Sequence, residues 1–454
     1  MPVTADLDRH FPRYTLHDPQ VPVWCLTPHA GHCTHRFFDT SPLSPSGRYL
    51  AVLRLPFEDR LPAPGDVAHV VLVDLHTGAE TVVADTRGWE HQLGANINWG
   101  GSDHELFFND VDTASWTPFA WKLDPLSGER LRMQGTVYHA SPDGRWLVSA
   151  NLALMRKTQS GYGVVLPDSA TPPWRVGPAG DDGFWLTDTR DGTRRPLVSV
   201  KQILKSVAAN GTPVRFDAVP PPAGPERCEI TGFHCKFNPQ GDTLMLSLRW
   251  FAAGDAPRWD MFAVDFHAVR YAWVTLRIDP AAGAPDLASL RCATGPELWQ
   301  HPGHHATWFP DGRRISQNLA LPSTGTGDRL RLVEVNADGS GLRVIPGTEN
   351  LDGSGHPTVH PDGVHLLADT YVRESPLGDG TVPLRWIDLR TGREQCLVRI
   401  NALNPAVSAH SALRCDPHPA WDRDWTHVVF NGMDGDTRRV YIADMRPALG
   451  RAAG

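Results

Sequence analysis

The chain has 454 residues, of which 41% are hydrophobic and 21% are charged, with a formal net charge of −8. This composition excludes a disordered chain, and the acidic balance excludes a strongly basic stripe of the kind that binds nucleic acid. The sequence contains neither a run of about 18 apolar residues nor a basic N-terminal segment before an apolar one, so we expect a soluble, cytoplasmic protein without a membrane partner.

The first predicted element is a short strand, VPVWCLTP, at 21–28. After it, a turn signature followed by an apolar or alternating stretch recurs along the chain. Five copies read SPSGRYLAVLRL (44–55), SPDGRWLVSANL (141–152), NPQGDTLMLSLRW (238–250), FPDGRRISQNLAL (309–321) and HPDGVHLLADTY (360–371). Two degenerate copies, GGSDHELFFND (100–110) and DRDWTHVVFNG (422–432), complete a set of seven. Such turns before short apolar stretches are typical of β-hairpins.

Most units continue with a second strand and an acidic turn, as in VVLVDLHTGAETVV (70–83) and LRWIDLRTGREQCLV (384–398). A unit of four short strands, repeated about every 45 residues, is the sequence sign of a propeller blade. We therefore predict an all-β fold, a seven-bladed β-propeller in which residues 1–454 form a single domain. The last unit has no room for a fourth strand, so we expect the strand at 21–28 to complete that blade and close the ring.

Two segments are too long to be hairpin connections. The first, at about 151–184, is rich in Gly, Pro and Asp, and we expect it to form a lid or a surface excursion. The second, at 252–273, interrupts the fourth unit. The stretch at 198–211 predicts the one notable helix.

Histidine occupies one shared position in four of the seven units. Counted six residues before the acidic or amide residue of the turn, these residues are His234, His305, His356 and His418. Because this position begins the innermost strand of each blade, we expect the four imidazoles to converge at one mouth of the central channel. Clustered imidazoles either coordinate a divalent metal or supply a base. The alternative is structural, with each histidine hydrogen-bonded to a neighbouring blade.

Asp416 and His418 are two residues apart on one predicted strand, so both side chains point to the same face. Together with His356 from the neighbouring blade, they form a set of two histidines and one carboxylate that suits Mn, Fe or Zn. The pattern therefore predicts a divalent metal site. The alternative for Asp416 is that of a turn residue before Pro417.

At these residues the chain resembles the oligogalacturonate lyases, a family of seven-bladed polysaccharide lyases related in architecture to TolB-type propellers. The resemblance covers most of the chain in blade order, through WCLTPHAGHCTHRFF (24–38), GHHATWFPDG, GHPTVHPDG and DPHPAWDRDWTHVVFNGMDG. It implies that His305 is the catalytic base and that His356 and His418 bind a metal. The family's His-Arg pair falls on His35 and Arg36. We expect this pair to bind substrate, together with His234 and His304.

Two positions depart from the family pattern. Asp416 replaces the first histidine of its H-P-H-P element, and Leu413 replaces a glutamine. The resemblance thus implies a divalent metal, with Mn as the first choice, in a site with one ligand exchanged and one missing. The arginine that assists the base has its best match at Arg270, which we expect to bind the substrate carboxylate.

The resemblance implies a carbon-oxygen lyase of pectin degradation that cleaves 4-linked uronates by β-elimination, acting on an acidic oligosaccharide as a monomer or weak dimer. In such a reaction a metal or an arginine neutralises the carboxylate while a histidine removes the C5 proton. Two alternatives stay open. One is a lyase for another acidic oligosaccharide, such as a glucuronate-rhamnose one, and the other is a non-catalytic TolB-type interaction propeller.

Overall fold

A computed structural model describes residues 4–216, 224–254, 269–299, 303–321, 329–408 and 411–450. Within these residues the strands form seven antiparallel sheets of four strands each, which are the blades of a β-propeller. The predicted fold class is therefore confirmed. None of the helices among the described residues is long and apolar enough to span a membrane.

The chain begins with α1 (Thr4–His10) and β1 (Val23–Cys25). Blade 1 contains β2 (Cys33–Thr34), β3 (Tyr49–Arg54), β4 (Ala68–Asp74) and β5 (Glu80–Thr86). Blade 2 contains β6 (Asn98–Trp99), β7 (Leu106–Asp112), β8 (Thr117–Leu123) and β9 (Arg130–Arg132). Blade 3 contains β10 (His139–Ala140), β11 (Trp146–Ala150), α2 (Leu152–Thr158), β12 (Gly183–Asp188) and β13 (Arg194–Ser199), and α3 (Val200–Ala209) follows it.

Blade 4 contains β14 (Cys228–Phe237), β15 (Thr243–Ala252), β16 (Arg270–Ile278) and β17 (Pro285–Thr294). Blade 5 contains β18 (Gly303–Trp308), β19 (Arg314–Leu319), β20 (Arg331–Asn336) and β21 (Arg343–Val344). Blade 6 contains β22 (Thr358–Val359), β23 (His365–Ala368), β24 (Thr381–Asp388) and β25 (Arg393–Asn401). Blade 7 contains β26 (Ala420–Trp421), β27 (His427–Asp434) and β28 (Thr437–Asp444), before α4 (Arg446–Gly450). Short 3-10 helices lie at Pro225–Arg227, Pro296–Trp299 and Val372–Glu374.

The ring is closed by the N-terminal strand, as predicted. Strand β1 pairs antiparallel with β28, with Val23 opposite Ala443, and becomes the fourth strand of blade 7. Trp24 is fully buried, and its indole NH donates to the Asp8 carboxylate at 3.0 Å. Closure thus joins the two ends of the chain through both backbone pairing and apolar burial.

Five of the seven turns between the first two strands of a blade contain a left-handed glycine. In the five clearest copies this glycine has φ between 65° and 75°, a left-handed conformation that other residues adopt only with strain, at Gly47, Gly144, Gly241, Gly312 and Gly363. Helix α3 lies within the predicted 198–211 stretch. Ser199 caps it through a capping box with Gln202, and its apolar face buries Ile203 and Val207.

The two predicted insertions have different outcomes. The segment at about 151–184 joins β11 to β12 and contains α2, whose apolar residues Leu152 and Met155 are buried. Of the insertion at 252–273, residues 255–268 lie outside the described residues. The largest hydrophobic cluster joins the centre of the ring to blades 3 and 4, through Phe37, Phe184 and Leu246 among others.

Candidate active site

The floor of the candidate site is a buried segment of blade 1 that crosses the centre of the ring. Phe37 and Phe38 are 0% and 2% exposed. Beside them Asp39 forms buried ion pairs with Arg36 (2.9 Å) and with Lys236 of blade 4 (2.6 Å). Burial alone would raise the pKa of Asp39, but the two cations hold it well below the usual range of a carboxyl group. Charge pairing therefore fixes this segment in the channel.

The four histidines of the repeated position converge on Phe37. The centroids of their rings lie between 4.7 and 5.8 Å from the Phe37 centroid, in the order His418, His305, His356 and His234. These residues come from four consecutive blades, and we call them the histidine cluster. The expected convergence at the channel is therefore observed.

Three members of the cluster are in close contact. The His305 and His356 rings stack at 4.1 Å with an interplanar angle of 29°, and the His418 ring meets His356 edge-on at 4.4 Å. Asp369 fixes His356, because its carboxylate accepts from the His356 backbone NH (2.7 Å) and from Nδ1 (2.9 Å). Nδ1 thus carries the proton, and the buried Nε2 of His356 has no hydrogen-bond partner among the described residues.

His305 pairs with a tyrosine of blade 6. The Tyr371 hydroxyl lies 2.9 Å from His305 Nδ1, and the Gly355 carbonyl lies 3.4 Å from the same nitrogen. Burial raises the pKa of Tyr371 well above its ordinary value, so the phenol is neutral near pH 7. A partly buried imidazole is thus hydrogen-bonded to a protonated phenol, an arrangement through which a proton can pass.

The backbone is strained at two cluster residues. His305 has φ of 25° and His418 has φ of 50°, in the region that favours glycine. The pairing of β18 with β19 shifts register after His304, so a bulge carries His305, and Lys236 Nζ donates to the next carbonyl, of Ala306, at 2.6 Å. Such strain costs on the order of 1–3 kcal/mol per residue and concentrates at functional sites. Of the seven non-glycine residues with positive φ in the described part of the chain, two therefore belong to the histidine cluster.

The deeper histidines are neutral at physiological pH. Burial lowers the pKa of His418 well below its ordinary value, and neither ring nitrogen of His418 has a hydrogen-bond partner among the described residues. Burial also lowers the pKa of His35 to about 4. The His35 ring lies 6.4 Å from that of His418, and its Nε2 is 3.4 Å from the Pro417 carbonyl oxygen. His35 thus borders the cluster as a neutral imidazole.

Asp416, a predicted metal ligand, forms an ion pair with Arg414. Arg414 Nε lies 2.9 Å from Asp416 Oδ2, whereas His418 Nε2 lies 3.9 Å from the same oxygen. Burial opposes the charge of Arg414, but Asp416 raises the pKa of that guanidinium above its ordinary value. Across the described residues, no group of three or more His, Cys, Asp or Glu side chains is arranged to hold a metal ion. The predicted set of His356, Asp416 and His418 therefore does not form a metal-binding group here.

A second buried arginine lies beside the cluster. Arg249 is 5% exposed, and its guanidinium carbon lies 3.2 Å from the Phe233 ring centroid and 4.3 Å from that of Tyr271. Burial lowers the pKa of Arg249 to about 10, so it stays charged near pH 7. Its Nε and Nη1 have no hydrogen-bond partner among the described residues. Such donors bind a carboxylate well.

Arg270 is the first residue of β16 in blade 4. In the pairing of β15 with β16, Arg249 is opposite Tyr271 and Trp250 is opposite Arg270. Because neighbouring residues of a strand point to opposite faces, Arg270 is on the other face of the sheet from Arg249 and Tyr271. The Arg270 guanidinium donates to the Val269 carbonyl at 3.3 Å. Arg249, rather than Arg270, packs on Phe233, the residue before His234.

The other predicted substrate-binding residues have mixed positions. Arg36 is held by structural partners, because it donates to Asp39, to the Tyr138 carbonyl (2.6 Å) and to the side chain of a nearby asparagine. His234 stacks on Tyr138 at 5.3 Å, and burial lowers the pKa of His234 well below its ordinary value. The side chain of His304 lies outside the described residues.

Sequence reasoning did not identify Tyr371, Asp369, Arg249 or Arg414. The positions of the first three were open to prediction, because in an antiparallel blade the end of the second strand lies beside the beginning of the first, whereas Arg414 lies in the connection between β25 and β26. Asp369 and Tyr371 directly follow the second strand of blade 6, and Arg249 lies near the end of the second strand of blade 4. Polar residues at those strand ends were the available signal.

Comparison with known proteins gives structural neighbours only. No protein-family model matches the chain, and no curated protein matches it. An oligogalacturonate lyase in complex with manganese is 15% identical, with 96% of both chains covered and a TM-score of 0.56. An oligogalacturonate lyase from Vibrio parahaemolyticus is 14% identical, with 96% of both chains covered and a TM-score of 0.57. These likenesses establish the fold. A puromycin-hydrolysing peptidase of Mycobacterium tuberculosis has a TM-score of 0.44, with 92% of this chain and 52% of that chain covered at 14% identity.

Proposed function

We propose that this protein is a lyase that cleaves an acidic oligosaccharide at a 4-linked uronate by β-elimination. The observation that carries the proposal is the pair of His305 and Tyr371, whose Nδ1 and hydroxyl are 2.9 Å apart inside the histidine cluster. The fold shared with two oligogalacturonate lyases supports it. Because their identities to this chain are only 14% and 15%, the proposed chemistry depends on the residues of the site.

The first requirement of β-elimination is to stabilise charge on the uronate carboxylate. The C5 proton is only weakly acidic, and its removal places negative charge on the adjacent carboxylate. Arg249 suits this task, since it is a buried cation with two unpartnered NH groups. A guanidinium can bind a carboxylate through two parallel hydrogen bonds. Arg249 thus takes the role that the resemblance implied for Arg270.

The second requirement is proton transfer to and from the reacting atoms. In the proposed step, His305 Nε2 takes the C5 proton, and the electron pair of that bond forms the C4=C5 double bond. The C4–O4 bond breaks, and O4 leaves with the proton of the Tyr371 hydroxyl. The Nδ1 proton of His305 then passes to the Tyr371 oxygen across 2.9 Å. The products are an unsaturated uronate and a new reducing end, with no co-reactant consumed.

The proposed β-elimination does not use a metal ion. The manganese of one solved neighbour makes a divalent metal an expectation for this chain. However, Asp416 is already compensated by Arg414 at 2.9 Å, and Leu413 is a fully buried apolar residue at the place of a family ligand. The site therefore offers two imidazoles, His356 and His418, but not the carboxylate that would complete the set. Positive charge comes instead from arginine.

The test is a screen of oligogalacturonates and glucuronate-rhamnose oligomers for the ultraviolet-absorbing unsaturated product. On a substrate that is cleaved, we expect His305→Ala to lower turnover by about two to four orders of magnitude with the melting temperature retained. A matched control is His104→Ala, which removes an exposed histidine paired with Asp124. Near-parental turnover of the His305 variant contradicts the assignment. If no uronate oligomer is cleaved, the interaction-propeller alternative is favoured.

A further inference from the structure

A cavity of about 480 Å³ lies between the loops of blades 2 and 3, outside the histidine cluster. Its volume falls within the range of about 300–1,000 Å³ that is typical of small-molecule sites. Three tryptophans line it, Trp116, Trp174 and Trp185, together with Asn151 and Arg194. Its walls thus combine aromatic rings with a few polar groups, which is the composition of ligand sites.

The three tryptophans are only partly buried. Across the described residues, none of the three donates a hydrogen bond. Of the eleven other tryptophans whose side chains are described, seven donate to a protein acceptor: Trp24, Trp89, Trp99, Trp121, Trp146, Trp308 and Trp421. An indole combines a flat apolar face with a polar edge. Pyranose rings bind such groups well, because they stack a CH face on the indole and offer hydroxyl oxygens to its NH.

One cation of the cavity has no counter-ion. The Arg194 guanidinium carbon lies 4.3 Å from the Trp185 ring centroid, and Arg194 makes no ion pair with a carboxylate of the described residues. Arg175, by contrast, is paired with Asp181. Burial raises the pKa of Asp182, which favours its neutral form. Arg194 therefore favours an anionic ligand over a neutral one.

The segment that builds this cavity also reaches the histidine cluster. It joins β11 to β12, and the Tyr162 ring lies 5.8 Å from that of His234, while Trp174 of the same segment lines the cavity. We propose that the cavity is a distal subsite for a uronate unit of an acidic oligosaccharide that extends beyond the cleaved linkage. This assignment rests on the proposed function. In it, Trp174, Trp185 and Arg194 determine the length of oligosaccharide that the protein prefers.

The test measures binding separately from turnover. Acidic oligosaccharides of increasing length, and neutral ones of equal length, are titrated by calorimetry into the His305→Ala protein and its Trp174→Ala and Arg194→Met derivatives. We expect each second change to weaken binding of the longer acidic oligomers about tenfold and to leave the shortest binding oligomer unaffected. Arg190→Met is the matched control, because Arg190 is exposed on the same blade and paired with Asp188 at 3.2 Å.

Equal affinity of the variants for long acidic oligomers would overturn the subsite. Preferential binding of neutral oligomers would also overturn the subsite. Failure of the His305→Ala protein to bind any acidic oligosaccharide would do the same. A further outcome is that acidic oligomers bind, with weaker binding in the two derivatives, while the protein with His305 intact cleaves none of them. In that case the subsite stands and the lyase proposal fails. The two proposals are thereby distinguishable.

Discussion

The buried charges beneath the histidine cluster allow a quantitative prediction. Asp39→Asn leaves Lys236 and Arg36 in the channel without their shared counter-ion. The side chains of Asp39 and Lys236 are 4% and 1% exposed. Removing one partner of a buried ion pair costs about 3–5 kcal/mol, whereas an exposed pair contributes about 0–1 kcal/mol. We therefore expect Asp39→Asn to lower the free energy of unfolding by about 3 kcal/mol or more at pH 7.

The pH dependence of this loss provides an internal check. Burial lowers the pKa of Lys236 even with Asp39 in place. Without the carboxylate, the neutral amine becomes more favourable still, so the variant should recover part of its stability as the pH rises and Lys236 loses its proton. The parental protein keeps its paired carboxylate, so the gain from Lys236 should be smaller and should occur at higher pH.

The assay is urea denaturation of Asp39→Asn, Lys236→Met and the double variant. Asp112→Asn is the control, because it removes a more exposed ion pair. Arg132 Nη2 lies 3.0 Å from Asp112 Oδ2, and the Arg132 side chain is 48% exposed. We expect the double variant to lose less than the sum of the single losses, because neither charge is then left alone. Lys236→Met should also lower turnover, since Lys236 holds the Ala306 carbonyl beside His305. A loss below about 1 kcal/mol in Asp39→Asn refutes the reasoning.

Three further predictions concern closure, pH and metal. Deletion of residues 1–30 removes β1 and the buried Trp24, so the ring should not fold; an unchanged melting temperature contradicts this. Burial lowers the pKa of His91 from 6.5 to about 3, so its unfolded state binds the extra proton and stability falls below pH 6.5. The loss is about 2 kcal/mol at pH 5, and His91→Gln should lack it in urea titrations at pH 7 and 5. Because Arg414 compensates the charge of Asp416, we expect a chelator to leave turnover largely unchanged. A loss of turnover that added Mn restores would instead identify a metal site.

The fold was predictable because its signals are local and repeated. Five blades begin with a hairpin whose glycine is left-handed, as at Gly144 and Gly363, and these turns together with the two degenerate copies define the number of blades. The role of the N-terminal strand could be predicted by counting the strands of each unit, since the last unit lacked a fourth strand. Helix α3 lies within the stretch predicted at 198–211, where Ser199 caps an amphipathic segment, and these are local features as well.

The site was predictable only where it follows the repeat. The four histidines of the cluster share one position, so alignment of the turns placed them together without any knowledge of loops. Tyr371 is the last residue of its repeat copy and aligns with Arg249, but no shared residue type marks that position, whereas Arg414 lies in the connection between β25 and β26, outside the repeat. Arg270 was the best match for the assisting arginine, but the insertion at 252–273 hides the register there, and Arg249 was not identified because adjacent strand residues that point to opposite faces cannot be told apart without the register.

The departures from the family pattern are connected in space. Leu413 is fully buried and cannot ligate, Asp416 replaces a neutral imidazole with a negative charge, and Arg414 between them supplies the compensating positive charge at 2.9 Å. The proposed mechanism binds a uronate carboxylate without a metal, so the positive charge has to come from another source. Because Asp416 neutralises Arg414, Arg249 is the residue that provides this charge in the proposed mechanism. A guanidinium, unlike a bound ion, cannot be removed by a chelator, and it stays charged over the whole pH range in which a neutral histidine can act as the base.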